Sequence, residues 1–333
     1  MGHSHRQSVV PTLATDANIS VDVDGLDCYR AIHGLSTPPG DPDADPVWTI
    51  GIARAAELFD AFDLEATFFV VGRDLDVDAH RRRAVDLVEA GHELANHTLD
   101  HPYDLRERSD AELAHQINGA DRKIADATGY SPVGFRAPGY NVDADVIAFS
   151  RRAGHRYDAS VFPCVSYWAA KAAVMQWRDV RGQPSRSHRT DPKNLAAPTQ
   201  PYFPDAIDCW RAATSTTGYI EIPIAVMART VPIIGTTLHL LDAVGFSRTW
   251  PLIDRSFPRF FNLEMHAIDF VDTSDLADLE DADELIARQP DLRIPWSVKR
   301  DRYRRVLAAI CEDRNPATLA AATESVRNPG EHP

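Results

Sequence analysis

Apolar and polar residues change their period several times along the first half of this chain. Ile19–Asp24 (ISVDVD) alternates apolar and acidic positions, which predicts a strand. Trp48–Phe62 carries its apolar residues at helical spacing. Glu65–Gly72 (EATFFVVG) is an apolar run of strand length, and Ala79–Ala90 returns to helical spacing until Gly91 closes it. HELANH predicts a third strand. Ser109 and Asp110 suit the start of a helix that reaches about Ala127, with Gly129 past its end. VGFRAP predicts a fourth strand, Val142–Ala153 a helix stopped by Gly154, and RYDASV a fifth strand. Regular strand–helix alternation of this kind predicts an α/β protein with a parallel sheet or a β/α barrel.

The alternation breaks after residue 161. Residues 163–218 are rich in Pro, Ser, Thr, Arg and Trp and read as a long insertion. Tyr219–Val226 (YIEIPIAV) resumes a strand, and 234–244 has helical character. Phe260–Asp272 is a late strand with His266 at its tip. An acidic segment at 274–288 and a helix near Lys299–Glu312 follow. The predicted organisation is a flexible tail over 1–17, one barrel domain over 18–315 with its insertion at about 163–218, and a C-terminal helix and tail over 316–333.

Composition narrows the function classes. The chain is 44% hydrophobic and 25% charged, enough for a sizeable soluble core. Its net charge of -14 shows no basic face, which sets nucleic acid aside. Neither GxxxxGK[ST] nor GxGxxG follows a strand, so a nucleotide-binding fold is rejected. Cys28, Cys164, Cys209 and Cys311 have no paired spacing and read as reduced thiols. The first residues lack a signal-like apolar core, and no apolar run is long enough to span a bilayer, so a cytoplasmic setting is expected. Val231–Phe246 is apolar enough for peripheral membrane contact, although such a stretch is more often a core helix. His3 and His5 read as tail residues rather than a metal site.

In a parallel β/α barrel, ligands gather at the C-terminal ends of the strands. Asp22 and Asp24 close the first strand, His97 and His101 follow the third, and Arg136 ends the fourth. Asp158 lies on the fifth, and His266 ends the late strand with Asp269 beyond it. Each alone has an ordinary explanation as a helix cap or packing residue; their concentration at one end is the signal. His97 and His101 on one helical turn would point both rings to one side. A zinc-like ion binds such nitrogens at about 2.0–2.1 Å and often takes a carboxylate, which Asp24 could supply from a neighbouring strand end. Three protein ligands leave positions open for water, as hydrolysis requires.

The segments SVDVDG, NHTLDH, GFRAPGY, YDASVFP and LEMHAID occur in that order, with ATFFVVG as a second strand. Together they resemble the motifs of the polysaccharide deacetylase family, the NodB-homology or carbohydrate esterase 4 fold, over roughly residues 18–270. The resemblance implies a distorted (β/α)7-type barrel and a metal-dependent amidohydrolase that removes N-acetyl groups from amino sugars or glycans. It implies that Asp24, His97 and His101 hold a divalent ion, zinc first, with cobalt, nickel or manganese as alternatives. Asp22 would be the general base and Arg136 its orienting partner. The Tyr140 backbone N–H would help form the oxyanion hole. His266 would be the general acid, with Asp158 tuning its charge. The family's first motif normally has adjacent aspartates, whereas Val23 separates them here, as in a variant branch with deformylase-like and peptidoglycan-directed members. Asp22 and Asp24 share a strand face, so which binds metal and which takes the proton is open at this stage. The alternatives are a deformylase or amidohydrolase acting on a lipid-linked or nucleotide-linked sugar or a small amide, and a non-catalytic glycan-binding barrel. In the last, Tyr167, Trp168, Trp177, Tyr202 and Trp210 would stack on sugar rings.

Overall fold

The period-two segments become a parallel sheet. In a computed structural model that describes residues 9–37, 42–180, 188, 190–238, 245–277, 279 and 282–326, nine strands form. They are β1 (Ala17–Val23), β2 (Thr67–Val70), β3 (Glu93–Asn96), β4 (Gly134–Phe135), β5 (Tyr157–Asp158), β6 (Ile220–Glu221), β7 (Val226–Met227), β8 (Val231–Pro232) and β9 (Phe261–His266). Seven make one sheet in the order β6-β5-β4-β3-β2-β1-β9, with every pairing parallel, while β7 and β8 form a separate antiparallel pair. The sheet curls until its edges approach. Ala225 N donates to Asn262 O at 3.0 Å, and Asn262 Nδ2 donates to Ile222 O at 3.2 Å. This is the expected distorted barrel. His3 and His5 lie outside the described residues.

Helices α1 (Leu26–His33), α2 (Ile52–Asp60), α3 (Asp78–Glu89), α4 (Asp110–Thr128) and α5 (Ala144–Arg152) surround it. The caps read from sequence are in place on α4. Ser109 Oγ accepts from Glu112 N, Glu112 reaches back to Ser109 N at 2.9 Å, and Gly129 closes the helix at φ 74.

Alternation along β1 sorts its side chains. Ile19 and Val21 join the apolar layer under the helices, while Asn18, Ser20 and Asp22 face the barrel interior. Asn18 Nδ2 donates to Thr67 Oγ1 at 3.2 Å, Thr67 Oγ1 to Glu93 Oε2 at 2.8 Å, and Tyr157 OH to Glu93 Oε1 at 2.8 Å. Position 134 must be glycine, because a Cβ there would meet the Tyr157 ring at 1.9 Å. The short helix Leu319–Ala322 closes this end, with Leu319 N on Thr67 Oγ1 at 2.9 Å and Ala320 N on Glu93 Oε2 at 2.8 Å.

Several expectations need correction. The fourth, fifth and sixth strands are only two residues long each, because Pro138 starts a turn after β4 and Pro223 lacks the N–H to continue the ladder after β6. The late strand ends at His266 and gives way to a 3-10 turn over Ala267–Phe270. The part of the predicted tail that is described is docked: Val9 and Leu13 pack on the closing helix, and Ala14 N donates to Ala322 O at 2.9 Å. The insertion at 163–218 contains a sixteen-residue helix, α6 (Val165–Val180), that sequence reading missed. Of the helical segment read at 234–244, residues 235–238 are helical and 239–244 lie outside the described residues. In Val231–Phe246, Ile233, Ile234, Leu238 and Phe246 are core residues. No helix among the described residues is long and apolar enough to cross a membrane.

Candidate active site

The strand ends converge as predicted. Asp24 Oδ1 lies 3.3 Å from His97 Nε2 and 3.2 Å from His101 Nε2. All three residues are buried. Two ligands bound to one tetrahedral ion at zinc–nitrogen or zinc–oxygen lengths sit roughly 3.3 Å apart, so this spacing fits shared coordination. Asp24 Oδ1 and His101 Nε2 are buried without a hydrogen-bond partner among the described residues. Such orphaned atoms call for an occupant. The residues present therefore fit a divalent cation.

The two rings do not converge by the expected helical turn. Residues 97–101 are a loop in which Thr98 (φ 67) and His101 (φ 56) adopt left-handed backbone. Asn96 Oδ1 accepts from Thr98 N at 2.7 Å and Thr98 Oγ1 from His101 N at 3.1 Å, which holds this strained loop shut. The ring centroids end 5.0 Å apart. His97 Nδ1 donates to Arg136 O at 2.7 Å, which fixes its tautomer so that Nε2 faces Asp24.

Asp22 has a different environment. Its Oδ1 receives Arg136 Nη1 in a fully buried ion pair. Arg136 is held further by Ala159 O (2.8 Å) and Ser20 Oγ (2.9 Å), and its guanidinium lies 4.0 Å over the Phe69 ring. The Asp22 carboxylate stands 4.0 Å from His97 Nε2, beside the three converging groups. Burial pushes the Asp24 carboxyl up, but His101 and then His97 outweigh it and hold it well below the usual carboxylate range.

His266 closes the opposite side, with Nε2 4.0 Å from Asp24 Oδ2 and its ring edge-on to Tyr29 at 6.3 Å. Its partner is not Asp158. Tyr157 points into the barrel, so its neighbour Asp158 points out, where its Oδ1 accepts from Ser160 Oγ at 2.5 Å. Asp158 and Glu221 lie side by side there, and burial raises both carboxyls, Glu221 the more because Asp158 is next to it. The carboxylate beside His266 is Glu264, with Oε1 2.9 Å from Nδ1. Glu264 is fully buried, and neither of its oxygens has a well-aligned hydrogen bond among the described residues. Burial pulls the His266 imidazole down, but Glu264, with Asp22 and Asp24, overcomes this and lifts it well above its usual value. The available signal was the i, i+2 spacing of Glu264 and His266, which shares one strand face. Asp22, Glu264 and His266 form a second cluster of potential metal ligands, but Arg136 already neutralises Asp22 there.

Tyr140 also needs correction. Its N–H donates to Ala137 O at 3.0 Å within the Pro138–Tyr140 turn and so is already engaged. The Tyr140 ring instead packs edge-on against Phe162 at 5.1 Å. Asp269 caps the turn after β9 through His266 N at 2.9 Å.

A cavity of about 340 Å³ opens onto Asp22, Asp24, His97 and His266. Its far wall is α6, through Tyr167, Ala170, Lys171, Val174 and Met175. Tyr202 and Trp210, proposed from sequence as sugar-stacking residues, are buried in the core. Trp168 is turned to Thr190 O at 3.3 Å, which leaves Tyr167 at the cavity. A larger groove of about 760 Å³ beside Trp48 and Arg82 contains none of the site residues.

The polysaccharide deacetylase family model matches residues 44–157. The peptidoglycan deacetylase of Helicobacter pylori is 25% identical over 142 residues, 42% of this chain and 47% of that protein. The chitooligosaccharide deacetylase of Bradyrhizobium sp. is 39% identical over 90 residues, 27% of this chain and 40% of that protein. The chain thus matches less than half the length of either relative. A crystal structure from Mycobacterium smegmatis assigned to the polysaccharide deacetylases superposes over 98% of this chain and 99% of that one, with a TM-score of 0.56 and 14% identity, a likeness of fold. By matched segment and curated relatives, residues 44–157 resemble the polysaccharide deacetylases, and the barrel as a whole shares their fold.

Proposed function

We propose that this protein is a metal-dependent hydrolase that removes an N-acetyl group from an amino sugar or glycan. The observation that carries this reading is the approach of Asp24 Oδ1, His97 Nε2 and His101 Nε2 to 3.2–3.3 Å beside an aspartate that Arg136 already holds. Asp24, His97 and His101 would hold the cation, with zinc the first expectation for two imidazoles and a carboxylate. When bound, such an ion polarises the amide carbonyl and acidifies water.

The chain's own residues supply the proton transfers. Asp22 accepts the proton of the attacking water, because Arg136 holds its carboxylate in place beside the three converging groups. The departing nitrogen needs a proton, and His266 stands across the cavity to give it, with Glu264 behind its other ring nitrogen. Asp22 and Asp24 thus divide the two carboxylate roles: the one paired with Arg136 is the base, and the one facing both imidazoles is the ligand.

The test measures metal content and acetate release on N-acetylated sugars, with and without a chelator. The reading requires about one ion per chain, with activity lost on chelation and restored by zinc. Release of acetate at full rate from metal-free protein would refute it.

A further inference from the structure

The α6 wall carries an amine that deacetylation chemistry does not use. Lys171 reaches inward from this otherwise apolar helix face, among Ile32, Tyr140, Tyr167, Val174 and Met175. Its Nζ donates to Gly139 O at 3.2 Å and to Thr190 Oγ1 at 3.4 Å. Both acceptors are neutral, and among the described residues no carboxylate lies within ion-pair range of Lys171. An ammonium has three donors, so one N–H is left over, and besides these two dipoles the charge meets only the face of the Tyr167 ring, 6.0 Å from its centroid, with no anion among the described residues. Burial alone pulls its pKa down to about 8. The acidic groups of the site do not neutralise it, since Asp22 is paired with Arg136, Asp24 faces His97 and His101, and Glu264 lies against His266 Nδ1.

A half-desolvated cation with no counter-ion is stabilised most by an anion delivered with the ligand. We propose that Lys171 is the anion-binding element of the substrate cavity, and that the preferred amino sugar carries a carboxylate or phosphate substituent that reaches this ammonium. This deepens the amidohydrolase reading and rests on the cavity being the substrate site. A competing structural role is a latch, in which Lys171 only ties α6 to the Pro138–Tyr140 turn.

Binding measured apart from turnover separates these roles. Calorimetric titrations of the full chain would use N-acetylglucosamine, N-acetylmuramic acid (a carboxylate) and N-acetylglucosamine 1-phosphate. The wild type should bind at least one anionic sugar about tenfold or more tightly than the neutral one, a preference weakened by salt. Lys171→Met should bring the anionic sugars down to the affinity of N-acetylglucosamine, and Lys171→Arg should retain most of the preference. The two anionic sugars distinguish carboxylate from phosphate. Equal affinity for all three sugars, no measurable binding of either anionic sugar, or an equal loss for all of them in Lys171→Met overturns the proposal. Anion preference in a protein that contains no metal and releases no acetate would instead remove the hydrolase reading and leave this subsite standing.

Discussion

The two ends of the barrel treat the buried carboxylates Glu93 and Asp24 in opposite ways. At the closed end, Glu93 receives Tyr157 OH and Thr67 Oγ1 at 2.8 Å each, and the closing helix adds Ala320 N at 2.8 Å. Both carboxylate oxygens are bonded, and the interactions run between residues far apart in the chain. At the open end, Asp24 Oδ1, His101 Nε2 and both Glu264 oxygens are buried without such partners among the described residues. There the backbone is also strained, with Thr98, His101 and Tyr140 all at positive φ. A buried group left unbonded costs roughly 1–3 kcal/mol. The closed end therefore stabilises the barrel, and the open end holds groups ready for something that is not protein.

Breaking the open end should affect chemistry far more than folding. His101→Ala or His97→Ala should remove bound metal and acetate release together, with the thermal midpoint of the metal-free protein almost unmoved; retained metal in His101→Ala would refute the ligand assignment. Next in size, Asp22→Asn should keep the metal and lower kcat by about 10²–10⁴-fold, the usual worth of a general base, as read by steady-state rates beside metal analysis. Glu264→Gln should have a smaller effect, roughly tenfold or more in kcat, with metal content and KM little changed. Nitrogen NMR of His266 should show the Nδ1 environment altered in that variant, and an unaltered signal would separate Glu264 from the acid. The least effect on chemistry belongs to the closed end. Glu93→Ala should cost roughly 3 kcal/mol of stability by leaving the Tyr157, Thr67 and Ala320 donors unpaired, yet the folded fraction should bind metal normally. Denaturant unfolding with metal titration checks both halves of that statement.

This division also explains what the sequence could reveal. Local periodicity made β1, β2 and β3 and helices α2 to α5 legible, because each is set by residues close together in the chain. It also placed Asp22, Asp24, His97, His101, Arg136 and His266 at one barrel end, and these six do meet. Partners that depend on side-chain direction were harder. Asp158 lies on the right strand but the wrong face, while Glu264, on the right face, was passed over within the late strand. Tyr140 failed for a different reason: whether its N–H is free depends on the turn that Pro138 and the positive-φ Gly139 impose. Helix α6 was hidden by the composition of the segment around it, which has few apolar positions beyond Val180. The insertion thus contributes a cavity wall, and with it Lys171, neither of which strand-end reasoning could reach.

The most direct test of the account is an anomalous difference map from crystals of the protein soaked in zinc. The account predicts one strong peak about 2.0–2.2 Å from Asp24 Oδ1, His97 Nε2 and His101 Nε2. A peak among Asp22, Glu264 and His266 instead, or none at the histidine pair, would contradict it.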